Sequence, residues 1–135
     1  SKIQMLTEFK ESPRSVLLGT QSFWEGVDVR GVGLKLLIID KLPFPNPSDP
    51  IYNAQSILIR SNGGNGFTEL ALPKTVLSLK QGFGRLMREA SDTGLFVLGD
   101  SRISSRSYRN YVINNLPEMV WLDRHEDAIA WMRKL

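Results

Sequence analysis

The sequence predicts an α/β fold in which a parallel β-sheet is flanked by helices. Three short apolar runs bounded by turn signals, at 15–19, 34–39 and 95–98, alternate with longer amphipathic segments. Apolar runs of this length are typical of strands that are buried on both faces of a parallel sheet. An acid closely follows each of the two later runs, Asp40 and Asp100 respectively. Because ligands bind beyond the carboxyl ends of such strands, these acids indicate where a site is expected.

The composition indicates one domain with one core over the 135 residues. Without Cys, and with a single His, the segment has no disulfide framework, no thiolate or iron–sulfur ligands and no His-based metal cluster. No apolar run approaches the ~20 residues of a membrane span, and no secretory signal opens the sequence. We therefore expect a cytoplasmic protein with no membrane partner. The net charge of +3 fits an anionic partner without requiring one.

The first third of the chain predicts a helix, a strand and a loop. Residues 2–9 carry Ile3, Leu6 and Phe9 at helical spacing. The run at 15–19 then predicts the first buried strand, and the polar, Gly-rich segment 20–33 predicts a loop.

After the second strand, at 34–39, the segment LPFPNPSDP at 42–50 excludes regular structure, since its four prolines fix φ and remove donors. Asp49 as N-cap and Pro50 at the first helical position predict a helix to about Arg60. Its inward face is predicted to consist of Ile51, Ala54, Ile57 and Leu58.

The stretch PKTVLSLKQGFGRLMR at 73–88 is the most informative helix. At 100° per residue, Gln81, Arg85 and Arg88 fall on one face. Gly82 and Gly84 each cost about 1 kcal/mol in a helix interior relative to Ala, so we expect close approach of another surface to compensate. The predicted core face is opposite and consists of Val76, Leu79, Phe83 and Leu86.

The chain after the third strand predicts two helices and an edge strand. Tyr108, Tyr111 and Val112 indicate a helix over 107–116 that Pro117 ends, and 119–122 predicts a fourth, edge-like strand. Asp123 with Glu126 resembles a capping box that opens a last helix through Trp131.

Three motifs follow one another along the sequence: GTQSFWEGVD at 19–28, LPFPNPSDP at 42–50 and QGFGRLMR at 81–88. Together they resemble the C-terminal motor domain of DinG-type DNA helicases, the bacterial relatives of the XPD branch of helicase superfamily two. QGFGRLMR matches the sixth motif of that family, Q-x-x-G-R-x-x-R, and SFWEGVD matches its fifth. DSR at 100–102 resembles the D-x-R that follows the next strand, and the resemblance covers roughly 15–117.

The resemblance implies a two-lobed motor, both lobes RecA-like, with ATP in the cleft between them. It implies a DNA helicase that uses ATP and Mg²⁺, with single-stranded DNA and its own N-terminal lobe as partners. The sequence contains no G-x-x-x-x-G-K-[ST] phosphate loop, no acidic box for Mg²⁺ and no Cys quartet for a cluster. We therefore expect an incomplete second lobe that hydrolyses no ATP by itself. Because the lobe's first strand is expected before residue 1, unpaired sheet edges predict self-association or a rearranged edge.

The resemblance implies that Arg85 and Arg88 are the catalytic arginines of the sixth motif. Phosphoryl transfer needs charge neutralised on the γ-phosphate oxygens, and the planar guanidinium binds phosphate bidentately. Gln81 can donate to phosphate and accept from the attacking water or a neighbouring loop. The alternative for this helix is a solvated basic face.

In the fifth motif, the resemblance implies three nucleotide-binding residues. Gly26 is expected in a backbone conformation closed to other residues. Asp28 is expected to orient a sixth-motif arginine or the nucleotide's water and ribose, and Glu25 is the third candidate. The alternative is a loop that only caps strands.

The residues that are expected to contact DNA come just before Glu25 in the sequence. Thr20, Gln21 and Ser22 lie where related motors contact the DNA backbone, and hydroxyls and N–H groups bind phosphates without reading sequence. Trp24 either stacks a base or clamps the loop as a buried residue.

Charged residues elsewhere have two interpretations each. Asp100 and Arg102 are predicted to form an ion pair that either shapes the cleft wall or is purely structural. Six cations are either an electrostatic track for the strand or singly solvated side chains: Lys35, Lys41, Lys74, Lys80, Arg106 and Arg109.

Three functions stay open from the sequence: a helicase motor lobe, a non-catalytic module that binds single-stranded nucleic acid, and a plain structural domain. Binding of short single-stranded DNA by the isolated chain, with steep salt dependence and no ATP effect, would favour the second. Loss of ATP turnover in the intact protein on changing Arg85 would favour the first.

Overall fold

A computed structural model describes residues 1–12, 14–23, 34–89 and 91–135, without the side chain of Ser22. Its sheet consists of two parallel strands, β1 (Leu36–Ile39) and β2 (Leu95–Leu98). Their register pairs Leu36 with Leu95 and Ile39 with Leu98. Parallel strands separated by helices confirm the predicted α/β class.

Six α-helices lie in the described part of the chain. They are α1 (Lys2–Glu11), α2 (Pro50–Ser61), α3 (Leu72–Leu86), α4 (Arg102–Ser105), α5 (Arg109–Asn114) and α6 (His125–Met132). Of these, α3 packs against both strands. A 3₁₀ turn covers Gln21–Phe23, and a π-helical turn at Phe67–Ala71 runs directly into α3.

The core lies where α3 packs across β1 and β2. Leu79 is fully buried on this face, as the helical periodicity predicts, and Val112 of α5 is buried beside it. Thr75 is equally buried, and its hydroxyl donates to the carbonyl of Ala71 at 2.8 Å, so that no polar group of this side chain enters the core unpaired. The buried cluster consists of Ile39, Leu42, Leu72, Val76, Leu79, Ile103, Val112 and Leu116.

The N-terminus of α2 follows the sequence prediction. Oδ1 of Asp49 accepts from the backbone N–H groups of Ile51 and Tyr52, both at 2.9 Å, and Pro50 occupies the first helical position. Residues 42–46 before it have no regular structure, as their prolines require.

The predicted inward face of α2 is wrong. Ile51, Ala54, Ile57 and Leu58 are all exposed, and α2 has no buried residue. Apolar periodicity marks a face that can be buried, whereas burial depends on a neighbour. In the described part of the chain, no element covers this face.

The predicted first, buried strand at 15–19 and the predicted edge-like strand at 119–122 are also wrong, since neither segment has β structure. Val16 and Leu18 are each 84% exposed, and Val120 is 86% exposed. An apolar run forms a strand only where a neighbour completes its ladder of hydrogen bonds. Among the described residues, only β1 and β2 supply such a ladder to each other.

Helix ends differ from the predictions for local reasons. Met87 has an extended backbone, so α3 ends at Leu86 and Arg88 lies beyond it. Helix α5 is shorter than the predicted 107–116. The capping box before α6 is wrong, because Arg124 is the N-cap and its Nε lies 3.4 Å from Oε2 of Glu126, which therefore pairs with Arg124.

The two glycines of α3 lie in different surroundings. A Cβ at Gly82 would meet Leu37 Cδ2 at 3.4 Å and Ile39 Cδ1 at 3.5 Å, which confirms the predicted close approach, here to β1. A Cβ at Gly84 would meet no described atom within 4 Å. The close approach to β1 therefore accounts for Gly82, whereas no described atom accounts for Gly84.

Leucine at these two positions is expected to act in opposite directions. Gly82→Leu should destabilise the chain by about 1–3 kcal/mol, because it overpacks the contact with β1. Gly84→Leu should stabilise it by about 0.5–1 kcal/mol through helix propensity. Urea unfolding of both variants provides the measurement, and equal losses at both positions would contradict this account of the glycines.

Candidate functional site

An ion pair joins the segments that follow the two strands. Asp100, after β2, is buried, and its Oδ2 accepts from the backbone N–H of Leu42, after β1, at 2.9 Å. The guanidinium of Arg102 donates to the same carboxylate, with Nη2 at 2.6 Å from Oδ2 and Nε at 2.9 Å from Oδ1. The predicted pair therefore exists, and it fixes the proline-rich segment to the DSR segment.

Hydrogen bonding dominates the electrostatics of Asp100. Its bonds from Arg102, with further bonds from the backbone N–H groups of Leu42 and Arg102, hold the pKa of Asp100 well below its usual range despite burial. The same contact raises the pKa of Arg102. The carboxylate is consequently ionised and engaged in hydrogen bonds, so it is suited to holding the two segments together and is unsuited to acting as a general base.

A segment near the N-terminus contacts α3 through a side chain. The side-chain amide of Gln21 donates through Nε2 to Oγ of Ser78, in the middle of α3, at 3.2 Å. Ser78 and Arg85 are seven residues apart on α3, so they lie on the same face of that helix. The start of the 19–28 motif is thereby joined to the helix face that carries Arg85.

The predicted catalytic residues divide between helix and turn. Gln81 is exposed and Arg85 is half-buried, both on α3, while Arg88 lies past the helix end. Oδ2 of Asp92 accepts from the backbone N–H groups of Arg88 and Glu89, at 2.8 and 2.9 Å. These two bonds lower the pKa of Asp92, and the bond from the Glu89 N–H has the larger effect. The face of three side chains predicted for one continuous helix is therefore wrong at Arg88, whose backbone is held by a capped turn instead.

The remaining candidates lie partly outside the described residues. Trp24, Glu25, Gly26 and Asp28 fall in 24–33, and nothing is described of the Ser22 side chain. Thr20 is exposed directly before the 3₁₀ turn. The roles predicted for these residues therefore stay predictions.

The six predicted track cations are exposed, and the Lys74 side chain has specific contacts with α2. Nζ of Lys74 donates to Oε1 of Gln55 at 3.2 Å and lies 6.0 Å from the centroid of the Tyr52 ring. Lys74 therefore binds to α2 in this structure. Lys80 lines an open cavity of about 610 Å³ with Phe83, Gly84 and Met87 of α3.

The sequence did not predict an aromatic cluster beside the ion pair. Phe44, Phe67 and Tyr108 lie with their ring centroids 5.5 to 5.9 Å apart, and the Arg102 guanidinium lies 5.2 Å from the Phe44 centroid. The three rings come from separate segments, and no sequence spacing relates them. The sequence shows that these three residues are aromatic, but it contains no signal that their rings meet.

The described residues lack two features, a membrane-spanning helix and a cluster of metal ligands. No helix among them is long and apolar enough to cross a membrane. They also contain no group of three or more His, Cys, Asp or Glu side chains placed to hold a metal ion.

Comparison with known proteins agrees with the motifs. The helicase C-terminal domain family matches residues 1–119. The chain is 48% identical over 117 residues to the ATP-dependent DNA helicase YoaA of Escherichia coli, covering 87% of this chain and 18% of that protein. It is 39% identical over 131 residues to the ATP-dependent helicase DinG of Mycobacterium tuberculosis, covering 97% of this chain and 20% of that protein.

A third relative carries a different name. The 3′-5′ exonuclease DinG of Bacillus subtilis is 40% identical over 114 residues, which cover 84% of this chain and 12% of that protein. The chain thus spans about a fifth or less of the length of these relatives.

The family match covers most of the chain, includes the motifs at 19–28, 42–50 and 81–88, and agrees with the parallel α/β architecture. The chain therefore belongs to the RecA-like helicase C-terminal domain family, in its DinG-like and XPD-like branch.

Proposed function

We propose that the chain is part of the second motor lobe of an ATP-dependent DNA helicase, in which it supplies arginines to ATP bound by the first lobe and grips single-stranded DNA. The observation that carries the proposal is the Gln21 to Ser78 hydrogen bond, 3.2 Å long, which joins the predicted DNA loop to the α3 face of Arg85. A DNA-contacting segment and a nucleotide-contacting helix that touch can transmit a change from one site to the other.

The donor set at the end of α3 and in the turn after it fits a nucleotide phosphate. Arg85 and Arg88 provide permanent positive charge and planar forks of donors, and Gln81 adds a neutral donor. These side chains can neutralise the charge that develops on transferring phosphoryl oxygens. Glu25, Gly26 and Asp28 of the motif at 19–28 are proposed to complete the nucleotide side of the cleft.

Mg²⁺ is usually held by carboxylate oxygens, which Gln81, Arg85 and Arg88 do not offer. Guanidinium groups repel a divalent cation, and the described residues contain no acidic group of three or more that could hold one. The proposal therefore assigns Mg²⁺ and most of the ATP contacts to the first lobe. Mixing the purified lobes and measuring ATP turnover with and without this chain tests that division, and full turnover without it would contradict the proposal.

DNA binding by the full-length protein is expected to be independent of sequence and sensitive to salt. Thr20, Gln21 and Ser22 offer groups that bind phosphates, and Trp24 offers a base-stacking ring. The double variant Thr20→Ala with Trp24→Ala should bind mixed-sequence oligonucleotides about tenfold more weakly. Fluorescence anisotropy across a salt series provides the measurement, with Thr7→Ala in α1 as the control. A strong preference for one sequence, or unchanged affinity of the double variant, would contradict this assignment.

A further inference from the structure

A small cavity opens beside the aromatic cluster at the carboxyl end of the sheet. Its volume is about 320 Å³, at the lower end of the range for small-ligand pockets. The lining residues are Phe67, Thr68, Leu72, Ser107, Tyr108 and Tyr111. They come from the π-helical turn, the start of α3 and the segment that leads into α5, so the cavity exists only in the folded chain.

The cavity presents aromatic rings to solvent. Phe67 is 42% exposed and Tyr111 is 40% exposed. Phe67 is supported from behind, because its ring centroid lies 5.6 Å from that of Phe44 and 5.5 Å from that of Tyr108. The Arg102 guanidinium stacks on Phe44 and is itself bonded to buried Asp100. The platform is therefore rigid and outward-facing, which suits the stacking of a planar ligand.

The polar groups around the cavity select the class of that ligand. Thr68 and Ser107 place hydroxyl-bearing side chains in its lining. Arg106 and Arg109 are exposed next to lining residues, and the stretch 101–117 contains three arginines and no acid. The nearby Glu69 carboxylate accepts from the backbone N–H of Asn65 at 2.7 Å, so that carboxylate is bonded within its own turn. Stacking rings beside cations match a base together with its backbone phosphates.

We propose that this cavity is a base-stacking subsite for single-stranded DNA, in which Phe67 and Tyr111 hold one unpaired base while Arg106 and Arg109 meet the flanking phosphates. The subsite rests on the proposed function, since it presumes a DNA-binding motor. None of the residues that line the cavity lies in the segment 20–24, so the subsite adds a second contact with the DNA strand. Stacking requires no hydrogen bonds to base edges, so the subsite is indifferent to sequence.

The test compares two fluorescent strands of equal length on the full-length protein, oligo(dT) and an abasic strand with the same phosphates. Tyr111→Ala is expected to weaken oligo(dT) binding on the order of tenfold and to leave abasic binding unchanged. Tyr111→Phe, which keeps the ring, should retain wild-type binding of both strands. Tyr52→Ala on α2 is the matched control, because that ring lies near Lys74 and outside the cavity.

Photocrosslinking of a 4-thiothymidine strand to the wild-type protein gives a measurement that needs no variant, and adducts on peptides containing Phe67 or Tyr111 are expected. Equal weakening of both strands by Tyr111→Ala, or no weakening of either, would overturn the subsite. Unchanged DNA binding with impaired ATP turnover would also overturn it and would indicate that a protein surface covers the cavity. If the wild-type protein bound neither strand, both the proposed function and the subsite would be wrong. If the wild-type protein bound both strands equally, the subsite would be wrong and the proposed function would stand.

Discussion

Replacing Arg85 or Arg88 with alanine is expected to lower the DNA-stimulated ATP turnover of the full-length protein by about 10³–10⁵-fold. In the proposed motor, the two arginines contact ATP only when the cleft closes, and they stabilise the transition state of phosphoryl transfer. Their loss removes that stabilisation. Unwinding should fail together with ATP turnover. Binding of single-stranded DNA without ATP should stay close to wild type, because the proposal assigns these side chains to the nucleotide.

The control and the conservative variants sharpen this prediction. Lysine should not rescue either position, since a point charge cannot reproduce the bidentate fork. Arg60→Ala, at the exposed end of α2, removes an equal charge far from the motif and should leave turnover unchanged. ATPase rates and DNA affinities are to be measured on the same preparations. Near-normal turnover with lost DNA binding would place α3 on the DNA track instead.

Asp100→Ala is expected to destabilise the 135-residue chain by about 2–3 kcal/mol. The change leaves the buried N–H of Leu42 without its acceptor and the Arg102 guanidinium without its carboxylate. The expected loss is smaller than the roughly 3–5 kcal/mol of a fully buried ion pair that loses one partner, because the Arg102 side chain is 43% exposed and can be hydrated. Urea unfolding measures the effect. Asp40→Ala, which removes the exposed acid after β1, is the control and should change stability little.

The pH dependence of stability gives an independent check on Asp100. Its pKa is depressed in the folded state, mainly by the Arg102 side chain, so its contribution is present in full above the unfolded pKa. That contribution declines as the pH falls through the acid range toward the folded pKa. The wild type should therefore lose more stability than Asp100→Ala between about pH 5 and pH 2. Parallel curves for the two proteins would show that the carboxylate is not stabilised by folding.

Much of the local structure was determined by short-range sequence signals. Asp49 and Pro50 predicted the start of α2, because capping involves only residues within one turn. The apolar runs predicted β1 and β2, and helical periodicity predicted the buried position of Leu79. The motifs at 19–28, 42–50 and 81–88 identified the family, because those residue types and their order suffice for that inference.

Tertiary structure decided where those signals led. Val16 and Leu18 have the pattern of a strand and remain exposed, because a strand requires a partner that local sequence does not specify. The position of Arg88 beyond α3 is an exception with a local cause, because the extended Met87 backbone and the carboxylate of Asp92, four residues from Arg88, end the helix there. The sequence by itself determined the family and the chemistry of its arginines, since these depend on residue type. The Gln21 contact with Ser78 and the aromatic cavity bring together distant segments, so only folding could create them.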